Sequence, residues 1–433
     1  MSKEISTKAL AERILEGNTA VVDVRSAEAY NGWQIRGESR GGHILSARSL
    51  PARWASYLDW IDIVRSKGIA PHQPIVLYGY DPQESMRIAK QFERAGYIDI
   101  YYYHGFIREW SADSKLSMDK LPRYQQLVSS SWLKELIETG SAPEFQNGPF
   151  VLCHAHYRNP ADYDIGHIPG ALSLDTNTLE SSSTWNCRTP AELKVALAAL
   201  GITRNSTVVL YGRCSFPRKD EPFPGSSAGH LGAMRCALIL LYAGVEDVRI
   251  LNGGLQSWVD AGYQLTRQPA APVEARDFGG PIPGRPELLV SLAEAKRILA
   301  SSNANLISVR SWLEYTGEVS GYNYIDRKGC IPGSVFADCG SDAYHMENYR
   351  NPDHTCREYH EVSFAWYKLG VVPERLNAFY CGTGWRASEA FFNAWLMGWP
   401  SLAVYDGGWY EWSRHADNSI QRGERIGEAS HEY

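Results

Sequence analysis

The residues best suited to chemistry form one short segment, Tyr380-Cys381-Gly382-Thr383-Gly384-Trp385-Arg386. Its cysteine follows an apolar run and precedes a helical pattern beginning near Trp385 or Arg386, so the thiol lies on a strand-to-helix turn. Backbone N–H groups converge in such a turn with a helix N-terminus behind them, and both stabilise negative charge on sulfur. Gly382 and Gly384 let the turn curl with its amides inward, because glycine adopts backbone angles that other residues resist. Arg386 adds a planar guanidinium suited to a pair of sulfonate or carboxylate oxygens. The expectation is a nucleophilic Cys381, with Gly382, Thr383, Gly384, Trp385 and Arg386 cradling an anion. A free cysteine is often only a buried, inert thiol, but its placement in a glycine-rich turn favours the reactive reading.

The elements that must hold this turn occur three times. An apolar run ends in tyrosine at Ile75–Tyr78, at Val208–Tyr211 and at Ala378–Tyr380, and each run leads through a helical stretch and a second strand to a Gly-x4-Trp ending at Gly105, Gly253 and Gly407. Twenty-six residues separate Gly79 from Gly105 and Cys381 from Gly407, against 41 between Gly212 and Gly253. The excess in the second copy falls in 213–232, a Pro-, Ser- and Gly-rich stretch read as an exposed loop insertion. Upstream, each copy has a strand followed by a turn: Val21–Arg25 with Gly42-His43-Ile44, Val151-Leu152 with Gly166–Gly170, and Leu306–Arg310 with Gly329–Gly333. Alternating strand and helix patterns predict an α/β fold in which each copy is a mainly parallel sheet flanked by helices. In such sheets ligands gather at the carboxyl ends of the strands, where the residue after each tyrosine must lie.

Composition sets the frame. A chain of 433 residues exceeds the roughly 250–300 residues at which a single core stops growing. The repeat frame divides it into 1–120, 121–278 and 279–433, with connections at 111–122 and in the Pro/Gly-rich stretch 268–284. A hydrophobic share of 44% and a charged share of 21% describe an ordinary globular protein. A net charge of −6 gives no general field for a polyanion, so nucleic acid is not an expected partner. No apolar run is long enough to span a bilayer, the longest candidate being the helix-like stretch Cys236–Val245. Eight cysteines form no CxxC pair and no zinc-ligand pattern, so neither a metal nor another cofactor is expected. Residues 1–17 read as an amphipathic helix without the apolar core of a secretory leader. This points to the cytoplasm.

The turn at Cys381 resembles the active loop of the rhodanese family, and the chain is similar over nearly its full length to the bacterial triple-domain sulfurtransferases of that family. The resemblance is strongest in the third copy, at Ser308–Trp312, Gly321–Tyr324, Gly340–Asp342, His345–Glu347, Cys381–Arg386 and Tyr405–Trp412. It implies three tandem rhodanese-like domains. It further implies a two-step transfer in which Cys381 takes sulfane sulfur from a donor as a persulfide and yields it to a nucleophilic acceptor. The loop amides would cradle the outer sulfur, and Arg310, Tyr322, Tyr324 and His345 would border the site. Gly79 and Gly212 stand at the nucleophile's position, which makes the first two domains inactive, and Cys214 lies two residues past the second. The third copy also departs from the family pattern, with Ser308-Val-Arg310 and Gly329-Cys330 in segments that serve architecture. A Cys-x5-Arg phosphatase-type loop is one residue longer than this one and suits a tetrahedral phosphate. Thiosulfate is the first expected donor and mercaptopyruvate the alternative. The acceptor is cyanide in vitro and a thiol or protein in the cell, and the protein is expected to be a monomer. A non-catalytic binding scaffold is the reading from another class, and a periplasmic location applies if the chain was trimmed of an export leader.

Overall fold

Each of the three apolar runs that end in tyrosine becomes the central strand of a five-stranded parallel sheet. The computed structural model describes residues 2–214 and 228–423. In the first sheet the strands are β1 (Lys3–Glu4), β2 (Ala20–Asp23), β3 (Arg48–Ser49), β4 (Ile75–Tyr78) and β5 (Ile100–Tyr103). The second sheet has β6 (Leu127–Val128), β7 (Phe150–His156), β8 (Leu172–Asp175), β9 (Thr207–Gly212) and β10 (Asp247–Leu251). The third has β11 (Leu289–Val290), β12 (Ala304–Ser308), β13 (Val335–Phe336), β14 (Leu376–Tyr380) and β15 (Leu402–Tyr405). Numbered within each sheet, the strand order is 1-5-4-2-3 all three times, with every pairing parallel. Strands β4 and β9 are buried along their whole length, as expected of central strands covered by helices on both faces.

The same two polar devices recur in each repeat. The phenol at the end of the central strand accepts the backbone N–H of the isoleucine in the upstream turn: Tyr78 from Ile44 at 3.0 Å, Tyr211 from Ile168 at 2.9 Å, Tyr380 from Ile331 at 3.4 Å. The indole of the Gly-x4-Trp ending donates to a carbonyl six or seven residues on: Trp110 to Ser117, Trp258 to Gln264, Trp412 to Ser419. A buried phenol or indole needs such a partner, and the strand and its neighbouring turn are thereby locked together.

The chain separates into two compact units, residues 1–125 and 126–433. The first contains the first sheet. The second contains the other two, whose junction is built by two helices, α1 (Gly229–Ala243) and α2 (Trp385–Leu396), packed on each other. Both are buried nearly all round, which is the pattern of a helix enclosed on every side. Here the structure corrects the sequence reading of 213–232 as an exposed loop: Gly229–Gly232 are the first turn of α1 and are buried, and Cys214 is buried as well. The glycines hid this turn, since glycine disfavours a helix by about 1 kcal/mol and only packing against α2 overrides it. Residues 215–227 of that insertion lie outside the described residues. Among the described residues no helix is long and apolar enough to cross a membrane.

Candidate active site

Strand β14 ends at Tyr380 and α2 begins at Trp385, so Cys381 to Gly384 make the expected turn, with Cys381 only 1% exposed. The outer side of the turn is tied down by the helix Gly408–Arg414: the N–H groups of Trp409 and Tyr410 donate to the carbonyls of Cys381 and Gly382 at 2.8 and 2.9 Å. The N–H groups of Gly382 through Arg386 meet no protein acceptor among the described residues. Orphan donors among buried groups cost about 1–3 kcal/mol each, and a run of five at a helix N-terminus has the geometry to stabilise an anion. Both glycines are required. A side chain at Gly382 would strike the ring of Tyr322 at 2.3 Å, and Gly384 caps α2 with φ +94°, in the left-handed region.

Around the turn lies a buried ion cluster. The guanidinium of Arg386 grips Glu314 with two 2.8 Å bonds and also donates to Cys339 Sγ, to the Asp342 carbonyl and to the Tyr322 phenol at 2.6 Å. The expectation of a guanidinium free for a substrate anion therefore needs correcting. Four protein groups take both terminal nitrogens, and only Nε lacks a partner among the described residues. Arg310, fully buried, bonds Glu314 and the carbonyls of Gly329 and Ser320 and lies over the ring of Trp409. Burial alone would raise the Glu314 carboxyl, but the two guanidiniums more than reverse this and hold it at about 2. Burial also keeps the phenols of Tyr322 and Tyr324 protonated, well above the ordinary tyrosine range. The Tyr324 phenol meets the Thr383 side chain.

Tyr322, Tyr324, Thr383, Trp385 and Arg386 come together in the wall of a cavity of about 290 Å³. Arg310 and His345 do not line it, and His345 is held by Asp342 at 2.7 Å. The rest of the wall was not foreseen: Tyr344, Asn323 and Ala343 from the third repeat, and Tyr157, Arg158, Trp185, Ala228 and Leu231 from the second. Nothing in the repeat frame marks Tyr157 or Trp185, because they belong to a copy without a nucleophile. The aromatic rings pack edge to face and stacked, with Tyr157 against Trp385 at 5.4 Å and Trp185 on Tyr324 at 4.6 Å. Phenols and indoles offer an apolar, electron-rich surface and little for a metal ion. Of the other tryptophans of the third repeat, Trp399 packs on Trp366, while Trp409 and Trp412 donate to backbone carbonyls and are not in this wall.

The equivalent positions in the other repeats are closed. A side chain at Gly212 would lie 2.1 Å from the Gly229 carbonyl oxygen, and one at Gly79 would meet Val24 at 2.8 Å. Cys214 donates to the Gly253 carbonyl, and burial pushes its thiol up to about 12, as it does for Cys339 and Cys356. All eight cysteines are free.

The rhodanese-like domain model matches residues 6–113, 130–261 and 291–415. The chain is 37% identical over 98% of its length to thiosulfate sulfurtransferase YnjE of Escherichia coli, covering 93% of that protein. It is 27% identical to the sulfur carrier protein TtuD of Thermus thermophilus over 69% of this chain and 97% of that one. Among solved structures it superposes on wild-type EanB with a TM-score of 0.96 at 53% identity, covering 98% of both chains. A variant of EanB with ergothioneine covalently linked to a cysteine persulfide matches as well, with the same TM-score and identity, as does another variant in complex with hercynine. With three matched regions, one strand order repeated in three sheets and a cysteine turn lined by free amides, the chain belongs to the rhodanese family of sulfurtransferases.

Proposed function

We propose that this sulfurtransferase carries sulfane sulfur on Cys381 and delivers it to the imidazole of hercynine, the trimethylammonium betaine of histidine, giving ergothioneine. The observation that carries the reading is the aromatic cavity of about 290 Å³ that adjoins the cysteine turn. A quaternary ammonium is bound best by ring faces, and tyrosines 157, 322, 324 and 344 with tryptophans 185 and 385 supply them. The complexes of EanB with hercynine and with persulfide-linked ergothioneine, at 53% identity, support the same acceptor.

The donor in this reading is thiosulfate, as in the name of the E. coli relative. Cys381 sulfur attacks the outer sulfur of thiosulfate, the S–S bond of the donor breaks and sulfite leaves. The amides of Gly382 through Arg386 hold the charge on the outer sulfur of the persulfide. The imidazole C2 then bonds to that sulfur, the cysteine S–S bond breaks, and Cys381 departs with the electron pair. The proton lost from C2 balances the one regained by the cysteine, so no oxidant is consumed. Tyr322 is the group available to relay it, since its phenol accepts from Arg386 and keeps its own proton to donate.

Incubation with thiosulfate is expected to raise the intact mass by about 32 Da, one sulfur, and hercynine to remove it with release of ergothioneine. Cys381→Ser is expected to abolish both. A Cys381→Ser protein that still gains the mass defeats the assignment of the carrier. A loaded protein that loses its sulfur to cyanide and dithiothreitol but not to hercynine returns the acceptor to a thiol or thiophile.

A further inference from the structure

We infer that Trp185, carried by the repeat that lacks a nucleophile, is a specificity-determining residue for the acceptor, and that Glu180, Arg235 and Asp406 form the clamp that positions it. The inference rests on the acceptor reading above.

Residues 180–187 fold as a small hairpin, closed by the bridge between Glu180 and Cys187 and by the Ser181 N–H to Asn186 carbonyl bond of 2.8 Å. Trp185 sits near its tip with φ +60°. The left-handed region is unfavourable for a residue with a side chain, and bulky residues persist there only when their surroundings over-determine them. Those surroundings are polar and specific. Arg235, on α1, donates to the Trp185 carbonyl at 2.8 Å, to Glu180 at 3.1 Å and to Asp406 at 2.5 Å. The other oxygen of Asp406 accepts the Cys187 N–H at 2.8 Å. Glu180 takes the Trp385 indole N–H at 3.0 Å. Held in this way, the Trp185 indole stacks on Tyr324 and donates to the Tyr157 phenol at 2.9 Å, in the wall of the cavity.

A buried ion triad is a poor source of stability, since apolar residues of the same volume often hold a junction as well. What the triad adds is direction. Asp406 follows β15, two residues before the helix whose N–H groups fix the carbonyls of Cys381 and Gly382. The clamp therefore sets the Trp185 ring in register with the cysteine turn. A large acceptor bearing a quaternary ammonium meets that ring, whereas a diatomic anion such as cyanide does not.

The test compares hercynine and cyanide as acceptors from the same thiosulfate-loaded protein, with the load read by mass. Trp185→Ala is expected to lower kcat/KM for hercynine at least tenfold more than kcat/KM for cyanide, mainly through KM, and Trp185→Phe to recover most of the loss. Asp406→Asn is expected to raise the hercynine KM when Trp185 is present and to add nothing in the Trp185→Ala background. Where Trp185→Ala does not fold, Trp185→Leu and Trp185→Phe carry the comparison. Equal losses on both acceptors, or an Asp406→Asn effect that persists without Trp185, overturn the inference alone. A wild-type protein that loads sulfur and gives none to hercynine overturns the acceptor reading and this inference with it.

Discussion

Arg386 is where residue type and residue environment part company. Five residues past the cysteine of a strand-to-helix turn, a guanidinium looks like a hand held out to an anion, yet here both terminal nitrogens close on Glu314, Cys339, Asp342 and Tyr322. One carboxylate shared by Arg310 and Arg386 leaves this buried cluster with an excess positive charge. Removing one partner of a buried pair typically costs about 3–5 kcal/mol. Arg386→Ala is therefore expected to lose about 3 kcal/mol of stability, near the lower end because Arg310 still faces Glu314. Urea unfolding checks it. A variant as stable as the parent but selectively poor with thiosulfate would return Arg386 to the role of donor ligand.

At the scale of elements, a strand, a turn and a helix occur three times, while a cysteine follows the strand only once. The second repeat shows that restoring the atom is not enough. The Gly229 carbonyl at the start of α1 occupies the place a side chain at Gly212 would need, and the amide of His230 is already bonded to the Arg213 carbonyl. Gly212→Cys is expected to destabilise the protein by about 1–3 kcal/mol, as overpacking does. Combined with Cys381→Ser, it is expected to show no gain of mass with thiosulfate. A gain of one sulfur in that double variant would mean that the second loop can still open into a cradle.

At the scale of the molecule, the second unit works as one piece because the second repeat furnishes five of the thirteen residues in the wall of the cavity beside the cysteine turn of the third. The junction is charged as well as apolar, and this gives it a pH signature. Burial raises the Glu180 carboxyl from its ordinary value near 4.5 to about 7, against the pull of Arg235. A folded-state value above the unfolded one means the native protein binds more protons across that interval, so stability falls as pH rises through it. The contribution of Glu180 is fully present below about pH 4.5 and lost by about pH 7. Melting temperatures of the parent should decline over that window more steeply than those of Glu180→Gln. Parallel slopes would remove Glu180 from the account.

What the sequence determined by itself is everything that depends on neighbours along the chain. The threefold strand, turn and helix pattern, the parallel sheets, the Cys381 turn with its glycines, and the start of α2 near Trp385 follow from local spacing and backbone geometry, the first two from the three repeated frames and the last two from Tyr380 to Arg386 alone. Tertiary structure alone decided who faces that turn. Glu180 reaches Trp385 across 205 residues, Glu314 reaches Arg386 across 72, and Trp185 and Tyr157 enter the cavity only because α1 packs on α2. Such pairings carry no periodicity, since burial and ion pairing are satisfied by any partner that packing brings near. That is also why a loop-like run of glycines became a buried helix, and why an offered guanidinium became a structural one.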